Sequence, residues 1–113
     1  MLVGMMENVD AVLSSILYLR SGLRKEELRS MLIRLFKVKP HIIKYALIAL
    51  LQREVSRRGT YGYCWAIDSL KIIRNAISGM TEAERHYLDI ISELAALNKK
   101  KRKFLELLDE HLK

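Results

Sequence analysis

The sequence predicts a mainly α-helical protein with one small β-hairpin, followed by a long C-terminal helix. Three observations predict this. Apolar residues recur at helical spacing through most of the 113-residue chain, and Pro40 is its one proline. Between Tyr61 and Ile67 the period shortens to two: Tyr61, Tyr63, Trp65 and Ile67 alternate with Gly62, Cys64 and Ala66. From Glu82 onward, apolar residues return every three or four positions almost to the C-terminus.

Taken in order, residues 7–20 place Val9, Val12, Leu13, Ile16, Leu17 and Leu19 at helical spacing. Asn8 is the candidate cap, Asp10 suits the positive end of the dipole, and Ser21-Gly22 ends the segment. Residues 24–36 form a second amphipathic helix on Leu28, Met31, Leu32 and Leu35, with Arg24, Lys25, Arg29 and Arg34 mostly outside the stripe. Lys37-Val38-Lys39 is a turn. Pro40 then opens a third helix, where a first-turn proline forfeits no hydrogen bond. Ile43, Leu47, Leu50 and Leu51 set its inner face.

The hairpin is expected to turn at Arg57-Arg58-Gly59-Thr60. Trp65 and Tyr63 should bury against the helices, and Cys64 reads as a small buried hydrophobe. A fourth helix follows, capped by Asp68 or Ser69, with Gly79 ending it as the residue just beyond its last turn. Thr81-Glu82-Ala83-Glu84 is a capping-box sequence opening the last helix, expected over 82–112. Such a helix outruns the core of a small domain, so Tyr87, Ile91, Leu94, Leu105, Leu108 and Leu112 are expected to pair with the same helix of a second subunit. The division is thus 1–80 as one domain and 81–113 as a dimerisation element. The run 98–103, NKKKRK, is open to three readings: an exposed stretch of helix, a hinge between two shorter helices, or a nucleic-acid contact.

Charge is unevenly spread. The net is +7, yet residues 20–74 hold thirteen cations against four carboxylates, whereas residues 75–97 hold one cation against four. A basic surface of this kind attracts phosphate backbones. The plainer account of the charge is a solvated face on a lysine-rich protein.

Residues 22–67, GLRKEELRSMLIRLFKVKPHIIKYALIALLQREVSRRGTYGYCWAI, resemble the winged helix-turn-helix superfamily over about two-fifths of the chain. Leu28 and Leu32 match the inner side of its second helix; Ile43, Leu47 and Leu50 match that of its third. Val55 would open the wing, and Gly62-Tyr63 with Trp65 and Ile67 would close it. The match departs at Glu54, where the family usually turns on glycine. The resemblance implies double-stranded DNA as partner and a role in transcription regulation, read through helix 40–53 and the wing at 57–61. Lys37, Lys39, Arg57 and Arg58 would meet phosphates, with Tyr61 beside them; His41, Lys44, Tyr45 and Gln52 would face bases. Some members of the superfamily bind proteins instead, so the alternative is an interaction module docking onto a transcription or replication complex. Ile42 and Ile48, interleaved on the outer face of the third helix, favour packing over base contact. The N-terminal helix, the C-terminal helix or a protein partner would cover them.

No catalytic or metal constellation stands out. His41, His86 and His111 are far apart in sequence, Cys64 is the single cysteine, and no phosphate-binding glycine loop occurs. Neither an enzyme nor a cofactor is expected. No apolar run approaches the ~20 residues that cross a bilayer, and a lone thiol fits a reducing compartment, so the expected location is cytoplasmic.

Overall fold

A computed structural model describes residues 24–112. The expected helix at 7–20 lies outside the described residues. Those described form five helices and no strand: α1 (Lys25–Val38), α2 (Pro40–Arg58), α3 (Thr60–Ala76), α4 (Thr81–Leu97) and α5 (Arg102–Leu112).

α2 is the axis of the bundle. α1 runs antiparallel to it, since Lys25 at the start of α1 meets Glu54 near the end of α2. α4 runs parallel to it: Lys44 pairs with Asp89, and about two turns further on Gln52 pairs with Asn98. Leu47, Leu50, Leu51 and Val55 of α2 are almost wholly buried by these neighbours and by α3. Pro40 occupies the first helical turn, as its missing N–H dictates.

The β-hairpin and the wing are corrected by the structure. Gly59, at φ +56°, turns the chain between α2 and α3, and residues 60–76 continue as one helix. The alternation at 61–67 overlays a second, helical pattern: Gly62, Ala66, Ser69, Leu70, Ile73 and Ile77 form one buried stripe. A short alternating run does not by itself distinguish the two, and here packing decides. A Cβ on Gly62 would sit 1.9 Å from the Glu54 carbonyl oxygen, so the small residue lets the two backbones nearly touch. Trp65 is buried as expected, on a helix rather than a strand, with Lys25 and Arg29 both under 5 Å from its ring centre. Cys64 points outward and is exposed, contrary to its expected burial.

The single C-terminal helix is also corrected. It breaks at 98–101, and α5 folds back along α3, where Phe104 stacks against Tyr63 at 5.6 Å. A continuous helix would have left Phe104 and Leu108 in water. Burying each is worth about 1.5–3 kcal/mol, enough to favour the return. The residues assigned to a dimer seam are therefore consumed within the chain. Tyr87, Ile91, Leu94 and Leu108 are buried and Leu105 is half-buried; only Leu112 remains exposed. The capping box is partly realised. Thr81 is already inside α4 and caps nothing, while the Glu84 carboxylate accepts the Gly79 N–H at 3.0 Å.

The close crossing predicts a sharp sensitivity. Gly62→Ala should destabilise by about 3 kcal/mol or more, because the new methyl meets backbone and the helices must part. Trp65→Ala should cost about 3–5 kcal/mol. Denaturant unfolding followed by circular dichroism checks both, and Cys64→Ala, at an exposed site, should change little in the same assay.

Candidate nucleic-acid interface

The residues expected to contact DNA are split between two ends of the bundle. Lys37 and Lys39 flank the α1–α2 turn, with His41 just after it. Arg57, Arg58 and Tyr61 lie at the opposite end of α2, which at 1.5 Å per residue is roughly 28 Å away. No wing carries Arg57 and Arg58; they form the last turn of α2, and Tyr61 is exposed in the first turn of α3 beneath the Lys25 ammonium.

The outer face of α2, expected to read bases, is occupied by polar contacts to α4. Lys44 Nζ lies 2.9 Å from Asp89 Oδ2 and 3.1 Å from His86 Nδ1, and it also approaches the Tyr45 ring. The bond from Lys44 holds the Asp89 carboxyl below its ordinary range. Tyr45, Ile48, Gln52 and Arg53 line a groove whose other wall carries Asp89 and Glu93. Carboxylates in that position repel phosphate and neutralise the lysine that would have contacted a base. His41 approaches His86, with ring centres 6.3 Å apart, but no group of metal ligands assembles among the described residues.

What the structure does bring together is a basic end. Gln52 and Asn98 exchange reciprocal amide hydrogen bonds, at 3.1 and 2.6 Å, and Asn98 also donates to the Leu94 carbonyl at 2.7 Å. Asn98 is buried, and this knot pins the 98–101 turn against the C-terminal half of α2. The lysines of NKKKRK are thereby set at the end that also carries Arg53, Arg57 and Arg58. Arg24 and the start of α1 join them through Lys25, whose ammonium is 2.8 Å from Glu54. Glu54 is buried and serves two cations, since Arg58 lies 3.9 Å from the same carboxylate oxygen. Arg53, Arg57, Lys99, Lys100, Arg102 and Lys103 are exposed and make no ion pair among the described residues. The carboxylates near this end are Glu26 and Glu27 on α1, Glu93 in the groove that Arg53 lines, Glu106 on α5 and the occupied Glu54.

Arg53 is not among the residues expected to contact DNA, and for Lys99 and Lys100 a nucleic-acid contact is one of the three open readings of the 98–103 run. The NKKKRK run was visible as a charge block, but its position beside α2 depends on an Asn–Gln pair 46 residues apart. Compared with protein families, curated proteins and solved structures, the chain matches none. No helix among the described residues is long and apolar enough to cross a membrane.

A second polar cluster lies away from this end, where α5 meets α3 and α4. The Tyr87 hydroxyl is held by the Leu70 carbonyl at 3.2 Å and by His111 Nε2, and burial pushes the phenol up to about 12. His111 is buried, its Nδ1 has no partner among the described residues, and burial pushes the imidazole below its ordinary value of 6.5, with Arg74 and Lys71 adding to the effect. The folded protein therefore binds this proton less readily than the unfolded chain. Stability should be full above about pH 6.5 and should fall as the pH drops from there towards the depressed folded value, since the unfolded state takes up the proton first. Urea unfolding of wild type and His111→Gln between pH 5 and 7.5 checks this: the wild-type curve should lose more stability below pH 6.5 than the variant.

Proposed function

We propose that this protein binds double-stranded DNA through its basic end, contacting the phosphate backbone without reading bases. The observation that carries the reading is the convergence of Arg53, Arg57 and Arg58 with the 99–103 run, held in place by the Gln52–Asn98 knot. These cations are exposed and largely unpaired, so no internal salt bridge has to break before they meet phosphates. The amino ends of α3 and α5 open at the same end and add positive partial charge.

Sequence selectivity has less support. Base reading needs a helix or ribbon that enters a groove with paired donors exposed. Here the outer face of α2 is walled by Asp89 and Glu93, and Gln52 is spent on Asn98. A duplex-coating role in a cytoplasmic setting therefore fits better than a sequence-specific regulator, and the role is one of binding rather than catalysis. The homodimer is not carried forward, because its seam residues are buried inside the single chain.

The test uses the two ends of the molecule against each other. Arg53→Ala with Arg57→Ala should weaken binding to a specific and a random duplex alike, and should flatten log K against log salt by roughly 2 units, at about 0.9 per lost phosphate contact. Lys99→Ala with Lys100→Ala should do the same. Lys37→Ala with Lys39→Ala, at the far end, should leave both affinity and slope unchanged. Fluorescence anisotropy at two salt concentrations reads all three. If the far-end pair reduces the slope while the basic-end pairs are silent, the assignment is wrong.

A further inference from the structure

We infer, on the reading that the basic end binds DNA, that Tyr61 is a stacking platform there for an unpaired base. The favoured partner is then a duplex that carries a single-stranded tail. Tyr61, the second residue of α3, is 61% exposed. Phe36, Trp65, Tyr87 and Phe104 are buried, and Tyr45 and Tyr63 are half-buried. Among the described Phe, Tyr and Trp residues, only Tyr61 holds its ring in solvent.

The ring is held in place. The Lys25 ammonium lies over one face, 4.7 Å from the ring centre. That ammonium is itself fixed, 2.8 Å from the buried Glu54 carboxylate and 4.8 Å from the centre of the Trp65 ring. One face of Tyr61 is therefore backed by a cation–π contact, and the other is left to solvent. Phosphate-binding groups stand beside it. Arg57 and Arg58 close α2 just across the Gly59 turn. Arg58 lies 3.9 Å from the same Glu54 oxygen that Lys25 binds, and its side chain is 56% exposed. Proteins hold single strands with this combination: cations track the backbone while an aromatic ring takes a base. In a continuous duplex each base face is covered by its neighbours, so the ring would have nothing to stack on. A tail offers free faces. Every base has one, so Tyr61 selects for an unpaired strand and is blind to its sequence.

Fluorescence anisotropy on the full chain tests it with three DNAs. These are a blunt duplex, the same duplex with a short thymidine tail, and the same duplex with an abasic tail of equal length. The two tails carry the same charge, so the ratio of their affinities reports the bases alone. The thymidine tail should bind roughly 10-fold more tightly than the abasic one, the size expected of one base on one ring. Tyr61→Ala should bring that ratio to one while leaving the salt slope on the blunt duplex unchanged. Tyr61→Phe should keep the ratio, since the ring and not the hydroxyl does the stacking. Equal binding of the two tails by the wild type, or a ratio that survives Tyr61→Ala, overturns the assignment and leaves the basic end a duplex contact. If none of the three DNAs binds, the reading of the basic end is itself wrong and the platform falls with it.

Discussion

At Gly62 the backbone of α3 comes so near α2 that no side chain fits between them, and much of the remaining fold follows from that contact. It sets the angle at which α3 leaves the Gly59 turn. It also puts Trp65 under the Lys25 and Arg29 side chains, which ties α1 to the same junction. Glu54 supplies the carbonyl that Gly62 approaches, and its carboxylate is buried beneath Lys25 and Arg58. A buried carboxylate is tolerated only when its charge is answered, so these two cations are structural as well as electrostatic. Three helices are therefore locked at one point, and that point lies at the basic end.

The electrostatics of the molecule divide along the same axis. Away from the basic end, cation and carboxylate are matched, as with Lys44, near the start of α2, and Asp89. Arg29 binds the Ser69 hydroxyl at 2.8 Å and lies 3.9 Å from Asp68. At the end built from the close of α2, the start of α3 and the α4–α5 turn, cations outnumber carboxylates and stay in solvent. Matched pairs add little affinity for an outside anion, whereas unmatched cations gathered within a Debye length act together. This asymmetry is why the DNA reading moves from the outer face of α2 to the end of the bundle.

The two function classes drawn from the sequence look different once the helices are placed. Ile42 and Ile48 argued against a base-reading face, and Ile48 is packed against the core at the wall of the groove between α2 and α4. The outer face of α2 and the basic end are then separate surfaces.

Several elements were legible from local chemistry alone. The helix at 24–36, the proline start at Pro40, the inner face of Leu47 and Leu50 and the burial of Trp65 all follow from periodicity, capping and backbone freedom over a few residues, whereas the helix expected to stop at Gly79 already ends at Ala76. The basic bias of the chain was equally plain. What local pattern did not decide was where neighbouring helices would press. Residues 61–67 satisfy a period of two and a period of 3.6 at once, and the tie is broken by α2, which takes Gly62 and Ala66 as a small-residue crossing. The apolar repeat at 82–112 is likewise consistent with a partner helix or with a turn back onto its own domain. Tyr63 and the buried Asn98 decide for the turn, because Phe104 gains a core and the NKKKRK run needs none. Local sequence determined which residues seek burial; only the tertiary structure decided what buries them, since that depends on surfaces of other helices, contributed by residues from eight positions away, as at Gly62 and Glu54, to 46, as at Gln52 and Asn98.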